Sequence, residues 1–138
     1  MAISCFKAYD IRGKVPEQLS EALAYDIARA FAAELQPRKV VVGYDIRLES
    51  PGIAQAIREG LLSSGVDVLD IGLCGTEEIY FSTFHHELDG GIMVTASHNP
   101  KGYNGLKLVR EGSRPISGDT GLKSIERRVE ERDFGEPS

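Results

Sequence analysis

A chain of 138 residues, 41% hydrophobic and 27% charged, has the size and balance of one globular domain that buries its core without metal or disulfide help. Its net charge of −5, with no Lys/Arg block and no aromatic–basic interleaving, argues against a nucleic-acid partner. No run of about 18 apolar residues predicts a membrane span. The opening "MAISCFKAYD" lacks the basic and apolar regions of a secretory signal. Cys5 and Cys74 lie far apart and make no disulfide framework, so free thiols in a cytoplasmic protein are expected.

In chain order, residues 3–9 read as a short strand and "IRGKVPEQ" as a loop. Leu23, Ile27, Phe31 and Leu35 recur at helical spacing over 20–35, with Ser20 as N-cap and Pro37 beyond the end. "KVVVGYD" at 39–45 is a buried-type strand. Ser50-Pro51 starts a second helix lined by Ile53, Ile57 and Leu61, and Gly65 stands where a C′ residue belongs. "VDVLDIG" at 66–72 is the next strand. Thr76 then caps a third helix, with Glu77 and Glu78 at its positive end and Tyr80, Phe84 and Leu88 as its stripe. "GGIMVTA" and "GLKLVRE" are two further strands, residues 119–132 form a charged closing helix, and "DFGEPS" trails off like a linker.

Strands separated by such helices predict an α/β fold, a three-layer α/β/α sandwich with a mixed, mainly parallel sheet. The short return near residue 100 should add one antiparallel pair. Ligands of such sheets collect at the carboxyl ends of the strands. Ser97, Asp45 and the 72–76 turn fall at such ends, and Arg12 is placed with them.

The most informative stretch is "TASHNPKGYNGLK". A strand runs into a polar connection of eight residues, 97–104, longer than a simple hairpin needs. Pro100 restricts Asn99, and Gly102 and Gly105 permit close approach of backbone to a ligand. Lys107, on the returning strand, can point back to the same mouth. A serine beside a histidine and a lysine suits nucleophilic chemistry. Ser97 and Asn99 bonding only the backbone of the turn would account for the residues as well.

"TASHNP" followed by "YNGLK" closely resembles the active-serine loop of the α-D-phosphohexomutases. "KAYDIRG" at 7–13 resembles that family's N-terminal signature, "GYDIRLES" at 43–50 its G-R-D-x-R-x-S-S box, and "VLDIGLCGTEEIYF" at 68–81 its D-x-G-x-x-x-T-P-x-x-Y-F stretch. The segments follow the family's order and span nearly the whole chain. "GTEEIYF" and "LVREGSRPISGDTGL" look most like the bacterial phosphomannomutase type, including the bifunctional phosphomannomutase/phosphoglucomutase. Tyr44 stands where the box has Arg, and Glu49 where it has Ser. Thr76-Glu77 replaces the usual Thr-Pro, as in the mannomutase-like subgroup.

The resemblance implies that Ser97 is carried as a phosphoserine. It would exchange its phosphoryl group with a hexose phosphate through a hexose 1,6-bisphosphate, interconverting mannose 6-phosphate and mannose 1-phosphate. Phosphate monoesters hydrolyse extremely slowly uncatalysed, which suits a serine ester that must wait while the intermediate reorients. Lys107 would be the general acid/base, with Arg12 beside it and His98 stabilising charge or moving a proton. Tyr9 would line the sugar site and Asn99 orient the loop. Mg²⁺ would take one ligand from phosphorylated Ser97, and hexose 1,6-bisphosphate would act as activator. Asp45 and Arg47 read as a structural ion pair at the site's edge. His85 and His86 are adjacent and do not face each other on a helix, so they make a poor metal pair.

The family's enzymes are several times longer, with four domains around one cleft. Their other Mg²⁺ ligands, sugar-selecting loop and distal phosphate clamp lie in the later domains. Residues 1–138 would then be the first domain, 134–138 the start of an interdomain linker, and the isolated fragment inactive. The expected partners are a hexose phosphate and the remaining domains. Phosphoglucomutase and phosphoglucosamine mutase remain alternatives within the family. A non-catalytic sugar-phosphate or protein-binding module is the alternative outside it. A serine hydrolase is disfavoured, because the chain has no G-x-S-x-G elbow.

Overall fold

The computed structural model describes residues 5–7, 10–45, 50–74, 79, 83, 88–95, 102–111, 114–116 and 121–134. Its strands are β1 (Ile11–Lys14), β2 (Lys39–Tyr44), β3 (Asp67–Leu73), β4 (Gly90–Val94), β5 (Tyr103–Arg110) and β6 (Arg114–Pro115). Its helices are α1 (Glu21–Leu35), α2 (Ser50–Ser63) and α3 (Leu122–Glu131). Ile79 and Thr83 are also helical; Leu88, expected in the stripe of that predicted helix, lies past its end just before β4, and the expected cap Thr76 and the remaining residues of the predicted helix lie outside the described residues.

All strands join one mixed sheet in the order β1-β5-β4-β2-β3, with β6 on the same edge of β5 as β1. β2 is parallel to both β3 and β4. β5 is antiparallel to β4, β1 and β6, so the antiparallel part exceeds the single pair expected from sequence.

Period-two alternation sends side chains to two faces. Val40, Val42, Ile92, Val94, Leu106, Leu108 and Ile11 meet Ile27, Phe31, Ile53, Ile57 and Leu61 of α1 and α2, with Ile125 and Val129 of α3, in the main core. Val41, Met93 and Val109 turn the other way and pack with Ile79 and Leu88 in a smaller core. Helical elements thus cover both faces, as an α/β/α sandwich requires.

Local chemistry explains the boundaries. The Ser20 hydroxyl accepts the Leu23 N–H at 3.0 Å, capping α1 as its sequence predicts. α2 closes in a Schellman motif: Val66 N–H reaches Leu61 O at 3.0 Å and Gly65 N–H reaches Leu62 O at 3.1 Å. Gly65 takes a φ of +82° there, which a side chain would resist.

Two expectations fail. The strand assigned to 3–9 is, among the described residues, only an isolated bridge from Phe6 to Ile11, and the strand falls in the presumed loop, at Ile11–Lys14. Pairing with β5 overrides the poor strand preference of Gly, Arg and Lys there. β5 begins at Tyr103 rather than 105, and the short β6 was not expected at all.

Candidate active site

The carboxyl edge of the sheet is tied together by a staircase of backbone hydrogen bonds. Cys74 N–H donates to Tyr44 O at 2.9 Å, Asp45 N–H to Val94 O at 2.9 Å, and Thr95 N–H to Gly105 O at 2.9 Å. Each bond steps from the end of one strand to its neighbour, from β3 to β2, to β4 and to β5. Gly105 in turn faces Arg12 in the β1–β5 ladder. The described residues flanking the 96–101 connection are therefore fixed on both sides. Thr95 holds one, and Gly102, whose carbonyl accepts Val15 N–H at 2.8 Å, holds the other.

Arg12 and Lys107 share the face opposite α1 and α2, because Ile11, Leu106 and Leu108 occupy the main core between and beside them. Both reach one carboxylate. Asp10 Oδ1 lies 3.1 Å from Arg12 Nε, and Asp10 Oδ2 lies 3.4 Å from Lys107 Nζ. The two cations that the sequence reading selected, 95 residues apart, thus converge beside the strand ends that flank residues 96–101. Asp10 was assigned no role in that reading. The signal was available, since i and i+2 in a strand share a face, but Asp10 and Arg12 fell in a segment split between strand and loop.

A second polar chain lies on the main-core side. Asn104 and Ser50 are fully buried. Asn104 Nδ2 donates to Ser50 Oγ at 2.9 Å, and Ser50 Oγ–H donates to Asp45 Oδ1. Asn104 Oδ1 also accepts the N–H of Gly105 at 2.8 Å. This chain locks the start of α2 and the end of β2 to the start of β5, and sequence reasoning missed both Ser50's side-chain role and Asn104. An Asn between Tyr and Gly was its only mark in the sequence. Tyr44, where the family box has Arg, turns into the main core and packs there.

Ser97, His98, Asn99 and Tyr9 lie outside the described residues, as do Arg47, Glu49, Glu77, Glu78, His85 and His86. Among the described residues no group of three or more His, Cys, Asp or Glu could hold a metal ion. Cys5 and Cys74 form no disulfide with each other. Burial pushes the Cys5 thiol up to about 11, while Cys74 is half-buried with Sγ 3.8 Å from Met93 Sδ. A groove of about 840 Å³ opens at the opposite end of the sheet, lined by Tyr25, Arg29, Arg38, Ser64 and Phe134. Arg29 stacks on Phe134 there at 4.0 Å. It contains neither Arg12 nor Lys107 and has no part in their chemistry.

Residues 4–136 match the family described as phosphoglucomutase/phosphomannomutase, alpha/beta/alpha domain I. The chain is 61% identical over 132 residues to a phosphomannomutase of Escherichia coli, covering 96% of this chain and 29% of that protein. It is 61% identical over 132 residues to a phosphomannomutase of Klebsiella pneumoniae, covering 84% of it. A crystal structure of a phosphoglucomutase/phosphomannomutase family protein from Burkholderia thailandensis superposes with a TM-score of 0.90 at 37% identity, over all of this chain and 32% of that one. The chain thus spans less than a third of the E. coli and Burkholderia relatives.

Proposed function

This chain belongs to the phosphoglucomutase/phosphomannomutase family as its alpha/beta/alpha domain I, and on that premise we propose that it is the phosphoserine-bearing domain of a phosphomannomutase. The observation that carries the reading is the 61% identity over 132 residues to proteins named phosphomannomutase. The meeting of Arg12 and Lys107 on Asp10 supports it, because a phosphoryl group of about −1.5 to −2 charge needs such cations close by.

In this reading Ser97 carries the phosphoryl group. A hexose phosphate hydroxyl attacks phosphorus, the bond from phosphorus to Ser97 Oγ breaks, and Ser97 recovers a proton. Lys107 acts as general base in its neutral amine form, reached when the resting ammonium releases a proton; it takes the sugar hydroxyl's proton and the ammonium so formed hands a proton to Ser97 Oγ, the reverse transfer running the same path backwards. The hexose 1,6-bisphosphate so formed reorients and returns its other phosphoryl group to Ser97. Mannose 6-phosphate and mannose 1-phosphate interconvert, and the glucose phosphates follow the same path. Arg12 and His98 face the developing charge, Tyr9 lines the sugar and Asn99 orients the loop. Free hexose 1,6-bisphosphate would prime an unphosphorylated Ser97.

Mg²⁺, a hard cation suited to phosphate oxygens, would supply charge neutralisation at the transferring group. This domain would give it the phosphoserine oxygen. Asp10 is already engaged by two cations and is a poor further ligand. Charged metabolites of this kind point to the cytoplasm, and among the described residues no helix is long and apolar enough to cross a membrane.

The test is ³¹P NMR of mannose 1-phosphate with the full-length enzyme. Conversion to mannose 6-phosphate supports the reading. Conversion of glucosamine phosphates alone would replace it.

A further inference from the structure

We propose that Asp10 is a positioning residue for phosphoryl transfer, holding Lys107 and Arg12 in their reactive arrangement before substrate arrives; this rests on the phosphoserine reading above. Three observations carry it. First, Asp10 sits on a braced backbone. Its carbonyl accepts Lys7 N–H at 2.8 Å, Arg12 N–H reaches Cys5 O at 2.7 Å, and Phe6 bridges Ile11. Second, each carboxylate oxygen is committed to a different strand: Oδ1 to Arg12 of β1 and Oδ2 to Lys107 of β5. Third, the anion is the least exposed of the three, at 16% against 46% for Arg12 and 34% for Lys107. The carboxylate lies beneath, and the cations lie nearer the solvent from which a phosphate must come.

The chemistry follows. Lys and Arg side chains are long and lose much rotamer freedom when fixed. A carboxylate that fixes both in the resting enzyme removes that cost from the reaction itself. Asp10 engages Arg12 through Nε rather than through the terminal fork, which leaves the fork's donors for an incoming dianion. At Lys107 it takes one of three ammonium donors. Partly exposed ion pairs add little to folding stability, so Asp10 acts on rate more than on stability.

The experiment uses the full-length enzyme. Phosphate incorporation that is lost in Ser97→Ala first establishes the phosphoserine reading on its own. In phosphorylated Asp10→Asn, which keeps size but removes the charge and turns one of the two acceptor oxygens into a donor, kcat falls about tenfold or more, while KM stays within about threefold and the melting temperature is unchanged. Asp10→Glu restores part of the loss. In a Lys107→Met, Arg12→Met background, Asp10→Asn costs nothing further, since the groups it positions are gone. Asp10→Ser carries the same expectations should the Asn variant fail to fold. A kcat within about twofold of wild type, or a loss that is fully additive in the doubly substituted background, overturns the proposal.

Discussion

Arg12 lies directly across from Gly105 in the β1–β5 ladder, and the absent side chain at 105 is what lets the two strands meet beside the end of β4. A Cβ at 105 would run into Ile11 O and lie 3.1 Å from Arg12 Cγ and 3.2 Å from Thr95 O. Two of these neighbours are backbone and cannot rotate away. Gly105→Ala should therefore cost about 1–3 kcal/mol of stability, the range for overpacking. Chemical denaturation of the wild type and variant measures it. A cost below about 0.5 kcal/mol would mean that the strands can part without penalty.

The buried chain Asn104–Ser50–Asp45 has a direction, with each hydroxyl or amide donating onward toward the carboxylate. Asn104→Ala removes the donor to Ser50 and the acceptor for Gly105 N–H, and Ser50→Ala breaks two bonds at once. Each should cost about 1–3 kcal/mol, because buried partners are left unsatisfied. The double variant should cost less than the sum by roughly 1 kcal/mol. Strict additivity in a denaturation cycle would show that the two side chains are not coupled.

The two thiols should differ sharply. Cys5 is fully buried and its thiol is held near 11 by burial, whereas Cys74 is half-buried at the carboxyl edge. Alkylation of the native protein at neutral pH should label Cys74 well before Cys5, with both reacting in denaturant. The sign for stability also follows. A thiol raised from 9.0 to about 11 favours the fold while both states are protonated, and that advantage is lost as pH rises from about 9 to about 11. The loss is up to about 2–3 kcal/mol. Cys5→Ala should flatten it. Equal alkylation rates for the two thiols in the folded protein would contradict the burial.

How much of this was legible in the sequence depended on how local the cause was. Ser20 and Gly65 act within one turn of their own helices, so cap and terminator could be read directly. The apolar runs of β2 and β4 announce strands buried on both faces. β1 was misplaced because only Ile11 in "IRGK" favours a strand; its partner lies 89 to 95 residues away on β5. Tyr103 and Asn104 were assigned to the connection for the same reason, since only pairing with β1 shows that they are strand.

Within the site, Arg12 and Lys107 were placed by the strand pattern and given their roles by a resemblance of motifs, and the fold adds that they share Asp10. The i, i+2 spacing of Asp10 and Arg12 hints at one half of that contact, but no spacing along the chain could reveal the other, to Lys107, 97 residues on. The roles given to Ser97, His98, Asn99 and Tyr9 rest on the motif alone, as these residues lie outside the described ones.

The central claim is that Ser97 stores the phosphoryl group. Intact-mass analysis of the full-length enzyme after incubation with glucose 1,6-bisphosphate tests it most directly. The account predicts a single added phosphate on the wild-type enzyme and none on Ser97→Ala. An unchanged mass for the wild type, or a phosphate that persists in Ser97→Ala, would contradict it.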